Sequence, residues 1–269
     1  MMKKKDEILN IAKDSTLLDE RISANMCQQI DLNQWIFSNI EVPSNGRVLE
    51  LCCGTGAQTI CLANIVNNGH VTAIDISANA ITSLNEKIKN NGIKNISAIC
   101  VDIDSFSIEL ENNSCSKPYF DLIFCSYGLY YSSNVSELLP KIKQWLKHSG
   151  SFIVVGPFGP NNYPLYELLE NCKVSISEFV MKTSSTFMYK DLMPWAALNF
   201  ERVDILTMVN PVVWTEKDTV MSYWKSSTFY DPQKRELVEK NIVKIFDESG
   251  HFINEKWVML VKSRKPRKR

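Results

Sequence analysis

From Arg47 onward, short runs of aliphatic and β-branched residues alternate with longer stretches whose apolar positions recur every three or four residues. The runs Arg47–Leu51, Val71–Ile74, Ile96–Val101, Phe120–Ser126 and Ser151–Val155 predict five strands, and Phe200–Val209 and Lys256–Lys262 predict two more. Between them the spacing predicts helices. One runs from about Ala57 to Val66 and closes on the turn Asn67-Asn68-Gly69. The next follows the N-cap Ser77, with Ala80, Ile81, Leu84 and Ile88 on its inner face. Another carries Leu138, Leu139, Ile142 and Leu146 before the turn His148-Ser149-Gly150. This alternation is that of an α/β chain: a seven-stranded, mostly parallel sheet with helices on both faces.

Residues 46–214 and 251–262 form the core of this single-domain reading, and three additions lie outside it. Residues 1–45 read as an N-terminal helical cap, with Ile22, Met26 and Ile30 on one face. Residues 215–250 form a helical insert before the last strand, and residues 263–269 a basic tail. The insert is aromatic, with Tyr223, Trp224, Phe229 and Tyr230, and Trp214 just ahead of it. Such a stripe packs against a sheet or closes as a lid over a ligand. The lid reading puts Tyr223 or Trp224 toward the pocket.

Composition narrows the class. Of 269 residues, 45% are hydrophobic and 22% charged, and 30 basic residues balance 30 acidic ones, so no overall field draws the chain to nucleic acid or anionic lipid. No apolar run approaches the ~20 residues of a membrane-spanning helix. The start Met-Met-Lys-Lys-Lys meets Asp6 and Glu7 where a signal peptide turns apolar, which argues against export and for the cytoplasm. Eight cysteines (27, 52, 53, 61, 100, 115, 125 and 172) then read as packing residues in a reducing compartment, and their spacing, with three histidines, predicts no metal.

The chemistry concentrates in Val48-Leu49-Glu50-Leu51-Cys52-Cys53-Gly54-Thr55-Gly56-Ala57. A strand ending in an acid is followed by a glycine turn and a helix N-terminus. Gly54 and Gly56 let backbone approach a ligand closely, and the helix start offers free N–H groups to an anion. Asp75, at the end of the next strand, can accept hydrogen bonds from both hydroxyls of a ribose, or can cap the following helix. Thr59 stands where a dinucleotide fingerprint has its third small residue, and Glu50 is foreign to that fingerprint.

These residues resemble the first motif of the Rossmann-like class I S-adenosylmethionine-dependent methyltransferases, with Cys52 where the family has its first glycine. Asp75-Ile76 resembles the second motif, Asp102-Ile103 the third, and Phe120-Asp121-Leu122-Ile123 and Leu146-Lys147-His148-Ser149-Gly150-Ser151 the signatures around the fourth and fifth strands. The resemblance implies S-adenosylmethionine as cofactor, held by Glu50, Cys52, Gly54, Thr55, Gly56, Asp75, Ile76, Asp102, Ile103 and Ser126. Asp75 would hold the ribose, Ile76 the face of adenine, and Asp102 its exocyclic amine. Asp102 also reads as turn chemistry, and Glu50 also as a partner of the glycine-loop backbone.

The fourth strand exits into Cys125-Ser126-Tyr127-Gly128-Leu129-Tyr130-Tyr131, a segment that lines the active site in related small-molecule methyltransferases. Tyr130 or Tyr131 would orient an acceptor or pack beneath the loop. Gly156-Pro157-Phe158-Gly159-Pro160-Asn161-Asn162 is a rigid, amide-bearing loop that could also reach a pocket. The aromatic insert is similar in layout to trans-aconitate methyltransferases, which implies a small hydroxyl- or carboxylate-bearing acceptor. Nucleic acid is not the expected partner. The basic run after Lys262, with Lys3–Lys5, keeps open an RNA or protein methyltransferase, and a non-catalytic cofactor binder is the third reading.

Overall fold

The computed structural model describes residues 7–8, 10–11, 14–106 and 119–267; Lys3–Lys5, Asp6, Cys115, Lys268 and Arg269 lie outside the described residues. Helices α1 (Ser15–Ala24) and α2 (Leu32–Ser38) precede β1 (Arg47–Leu51). There follow α3 (Ala57–Ile65), β2 (His70–Asp75), α4 (Ala78–Asn90), β3 (Ile96–Cys100), β4 (Phe120–Ser126), α5 (Val135–Trp145) and β5 (Leu146–Pro157). The chain continues through α6 (Tyr163–Asn171), α7 (Glu178–Met181), α8 (Met193–Asn199), β6 (Phe200–Trp214), α9 (Lys217–Lys225), α10 (Arg235–Ser249) and β7 (Phe252–Pro266). The seven strands make one sheet in the order β3-β2-β1-β4-β5-β7-β6. This is the expected α/β architecture, with N-terminal helices and a helical insert before the last strand.

Packing divides the chain into two compact units. Unit 1 draws on the stretches up to Gln34, Pro157–Phe187 and Thr207–Val258; unit 2 on Trp35–Gly156, Met188–Leu206 and the chain from Met259. The N-terminal segment and the insert, set apart by the sequence pattern, thus fall into unit 1 together with residues after β5.

In unit 2, β1 pairs in parallel with β2 and β4, β2 with β3, and β4 with β5. Leu122, Ile123, Phe124 and Cys125 are all buried, as a strand covered on both faces requires. Leu51 lies opposite Ile74 on one side and Cys125 on the other. The chain runs outward from β1 to β3 and then returns to β4 on β1's other side, so strand order reverses there. The carboxyl ends flanking such a reversal form a crevice for ligands. Ser77 caps α4, its hydroxyl accepting from Ala80 N at 3.3 Å, and Ala80, Ile81 and Leu84 are buried as the spacing predicts. The turn at His148–Gly150 lies within β5, where the register against β4 shifts between Phe120 and Leu122.

Both late strands outrun their predicted ends, because their polar residues find partners. Lys262 Nζ donates to Asn39 O at 3.2 Å, Arg264 pairs with Asp204, and Arg267 donates from Nε to Phe200 O and from its backbone N to Asn199 O. The basic run is therefore strand as far as Pro266, not a tail starting at residue 263.

Unit 1 has its own core, in which Trp214, Trp224, Leu165, Leu169, Val220 and Val238 are fully buried. Trp214 lies between Tyr223 and Phe252, with ring centroids 5.1 and 5.9 Å away, and donates from Nε1 to Ala24 O. Tyr223 and Trp224 are thus core residues of this unit, as the packing reading has it. Ile22, Met26 and Ile30 do not share a helix face. Asn25 ends α1, its side chain donating to Arg21 O, and all three apolar residues are exposed.

None of the seven described cysteines is in a disulfide; Cys53, Cys125 and Cys172 are buried, whereas Cys27 and Cys100 are exposed. Among the described residues, no helix is long and apolar enough to cross a membrane.

Candidate cofactor site

The loop after β1 is built by three successive constraints in unit 2. Cys53 N donates to Ile74 O at 2.9 Å, tying the turn to β2, and Gly56 N donates back to Cys53 O at 3.0 Å. Gly54 and Gly56 take positive φ, +53° and +85°, and a Cβ at Gly56 would fall 2.3 Å from Leu84 Cδ1. The backbone conformation favours glycine there, and any Cβ would also displace the Leu84 side chain of α4. Lys87, from the same helix, donates to Thr55 O at 2.8 Å.

Asp75 closes the loop from below. Its Oδ2 accepts from Gly54 N and its Oδ1 from Ser77 N, both at 2.8 Å. Asp75 thus holds the glycine turn and the backbone of Ser77, which is itself the cap of α4, and each carboxylate oxygen keeps a lone pair for a further donor. Ile76, next in the chain, presents its side chain at the surface, whereas Ile103 is buried in the core.

Glu50 is the anomaly. It is 1% exposed, and its Oε2 has no hydrogen-bond partner; the neighbouring Thr59 hydroxyl also lacks one. Burial raises its pKa to about 8, partly offset by the Thr59 hydroxyl and reinforced by the negative charge of Asp75. A carboxyl in that state is neutral at pH 7 and regains its charge when a cation arrives.

Cys52 occupies the left-handed region, φ +57°, which suits the glycine of the family motif better than a thiol. The opposite loop makes room. A Cβ at Gly128 would fall 2.3 Å from Cys52 Cβ, so the thiol at 52 demands the glycine at 128. A hydrogen bond to Cys125, then burial, pushes the Cys52 thiol well above its ordinary range, so it packs as a neutral group.

The segment after β4 is equally constrained. Tyr127, φ +56°, donates from its N to Val155 O, and Leu129–Tyr131 forms a single tight turn closed by Tyr131 N on Gly128 O. Tyr130 and Tyr131 rings meet edge to face at 4.7 Å. Burial holds the Tyr130 phenol well above its usual range, so it is a hydrogen-bond donor and not a base near neutrality. Ser126 ends β4, half-buried beside this turn.

The structure shows a clamp that the sequence reading missed. Asp104 accepts from Ser132 Oγ at 2.5 Å and from Ser133 N and Oγ at 2.7 and 2.6 Å, stapling the loop after β3 to the loop after β4. Asp102 supports it, its Oδ1 accepting from Asp104 N at 2.9 Å. The signal was present as two acids in Asp102-Ile103-Asp104 and two serines at 132–133, but nothing along the chain pairs them. Every residue expected at the cofactor therefore lies at the carboxyl end of one of the strands β1 to β4 or on the loop that follows it. A cavity of about 410 Å³ lined by Ser38, Glu41, Asp204 and Lys262 contains none of them. Among the described residues, no group of three or more His, Cys, Asp or Glu side chains could hold a metal ion.

Residues 43–173 match a family described as methyltransferase domain. Over 117 residues the chain is 28% identical to the malonyl-[acyl-carrier protein] O-methyltransferase of Paenibacillus sp. (strain JDR-2), covering 44% of this chain and 40% of that protein. Over 109 residues it is 34% identical to phosphoethanolamine N-methyltransferase 1 of Triticum aestivum, covering 40% of this chain and 20% of that one. The chain thus matches less than half the length of these curated relatives. The crystal structure of the YcgJ protein from Bacillus subtilis superposes with a TM-score of 0.61 at 15% identity, covering 88% of this chain and 98% of that one, a likeness of fold.

Proposed function

We propose that the chain is an S-adenosylmethionine-dependent methyltransferase acting on a small molecule, with a hydroxyl or carboxylate oxygen as acceptor. The observation that carries this reading is the loop between β1 and α3, held open by Asp75 at the strand-order reversal, beside a buried acid lacking a partner for one oxygen. The family match over residues 43–173 supports it, and the two curated relatives, one named for an oxygen and one for a nitrogen acceptor, leave the oxygen as this reading's own step.

The residues fit the cofactor. When bound, it supplies an electrophilic methyl group on a sulfonium. Asp75 accepts from the ribose hydroxyls through the lone pairs left on its oxygens. Glu50 meets the ammonium of the methionine moiety, which gives its orphaned oxygen a cation. Ile76 offers an exposed apolar face to adenine, with Asp102 at the exocyclic amine. Gly54, Thr55 and Gly56 present backbone at close range, and Cys52 and Ser126 border the turn. Tyr130 and Tyr131 orient the acceptor, and the neutral Tyr130 hydroxyl donates to it. Transfer to an oxygen that is already anionic needs alignment more than proton removal.

Lys262, Arg264 and Arg267 are engaged in strand contacts, which leaves fewer basic residues of that run to support the macromolecular reading. The likeness in layout to trans-aconitate methyltransferases rests on the insert alone, and Tyr223 and Trp224 there are packed in a core. Calorimetry with S-adenosylmethionine tests the reading. Asp75→Ala should weaken binding by roughly 1.5–3 kcal/mol, the value of lost charge-assisted hydrogen bonds. Equal affinity in parent and mutant removes Asp75 from the site, and tight NAD binding in its place overturns the assignment.

A further inference from the structure

Unit 1 holds a buried polar cluster that methyl transfer does not use. Lys256 Nζ donates to Asn162 Oδ1 at 2.7 Å and to Tyr223 Oη at 2.6 Å. Asn254 Nδ2 donates to the same Asn162 Oδ1 at 2.9 Å. These bonds fix the amide orientations. Lysine has only donors, so Asn162 must turn its oxygen inward, and Asn254 must then turn its nitrogen toward that oxygen. The outcome is that Asn254 Oδ1, in a residue fully buried, has no hydrogen-bond partner. Lys256, 8% exposed, lies with Nζ 4.2 Å from the centroid of the Tyr223 ring and in its ammonium form carries a third N–H beyond its two hydrogen bonds.

The charge balance is as incomplete as the hydrogen bonding. The charged group acting on Lys256 is the Arg21 guanidinium, a like charge, which itself donates to Ser226 O. A buried ammonium facing a second cation without an acid is unfavourable in an interior, and a methionine of similar volume would pack without that penalty. The cluster therefore lacks two things at once: an anion for Lys256 and a donor for Asn254.

We propose that this cluster is a binding site for a small hydroxy acid, whose carboxylate meets Lys256 Nζ and whose hydroxyl donates to Asn254 Oδ1. The site goes beyond the methyl-transfer reading and does not depend on it. Burial, with Arg21 second, lowers Lys256 to about 7. The other ionisable groups around it are Arg21 on α1, Tyr166 on α6 and Tyr223 on α9, with Glu255 beside it on β7. Burial raises both phenols above their usual range, Tyr166 to about 12, and Glu255 accepts from Trp257 Nε1. Of the buried groups in the cluster, the lysine alone changes charge near neutrality.

The test is calorimetry on the full chain at constant ionic strength, with glycolate, lactate, malate and citrate set against acetate, propionate, succinate and tricarballylate. At least one hydroxy acid should bind saturably, about tenfold or more tighter than its counterpart lacking the hydroxyl, since a buried acceptor left unpaired discriminates strongly. Its affinity should fall at least about tenfold between pH ~6 and pH ~9 as Lys256 loses its charge. Lys256→Met should abolish binding, and Tyr223→Phe, which preserves packing, should weaken it if the other variant fails to fold. Binding should persist in Asp75→Ala, so failure of the cofactor reading leaves this result interpretable. No binding by any of the four acids, or binding indifferent to pH and to both substitutions, overturns the proposal.

Discussion

Each unit buries a charge-bearing side chain beside a like charge: Glu50 with Asp75 in unit 2, and Lys256 with Arg21 in unit 1. Each stands next to an unpaired polar atom, Oε2 of Glu50 itself and Oδ1 of Asn254. A structure selected for stability alone would replace both with apolar residues of similar volume. Holding them costs folding energy, and the cost is recoverable only by a ligand of opposite sign. The two differ in surroundings. Glu50 belongs to a contiguous motif of glycine turn and strand ends, whereas the partners of Lys256 come from separate segments of the chain.

The comparison breaks most sharply with pH. Glu50 is raised from about 4.5 to about 8, so its contribution to stability is complete below pH 4.5 and is lost as pH rises through 8. Lys256 is lowered from 10.5 to about 7, so the unfolded chain holds the extra proton between those values, and stability rises with pH across that window. Each span is worth up to about 5 kcal/mol at 1.36 kcal/mol per pKa unit. Hydrogen exchange resolved by residue should show unit 2 weakening from pH ~5 to ~8 and unit 1 strengthening from ~7 to ~10. Glu50→Gln should flatten the first trend alone and Lys256→Met the second alone. Loss of both trends in either variant would show that the two groups are not separate.

Trp224→Ala asks whether the insert is core. Removing a fully buried indole should cost about 3–4 kcal/mol in denaturant unfolding, whereas a side chain that merely covers a ligand would cost under ~1. Asp104→Ala removes three hydrogen bonds between two loops and should cost about 1.5–3 kcal/mol, and methyl transfer should fall further than cofactor affinity because Tyr130 and Tyr131 lose their anchor. Truncation after Ser263 deletes the contacts of Arg264 and Arg267 and should lower stability by roughly 1–2 kcal/mol. An unchanged melting temperature would restore the reading of that run as a solvated tail.

Legibility in the sequence follows the same divide. The loop after β1, Asp75, the Ser77 cap and the five strands of residues 47–155 could be read because each is local: a period, a turn glycine or an acid at a strand end. Asp104 escaped because its serine partners lie 28 and 29 positions away across a β4 whose pairing is set by tertiary structure. Unit 1 was invisible as a unit because its three stretches are far apart in the chain. The ends of β6 and β7 were misplaced for a related reason. Arg264, Arg267 and Asn210 look like loop or tail residues until Asp204, Asn199 and Gln28 are brought beside them. Cys52 shows the converse: its poor fit to a glycine position was readable, but its accommodation by Gly128 was not.

The central claim is that Glu50, neutral when alone, pairs with the ammonium of S-adenosylmethionine. Calorimetric binding at pH 7 in buffers of different ionisation enthalpy counts the protons released. With a group raised to about 8 and driven to ionise by a cation, binding should release nearly one proton per site, and Glu50→Gln should bind more weakly and release none. Binding of the same affinity in both proteins, with no proton released by either, would contradict the account.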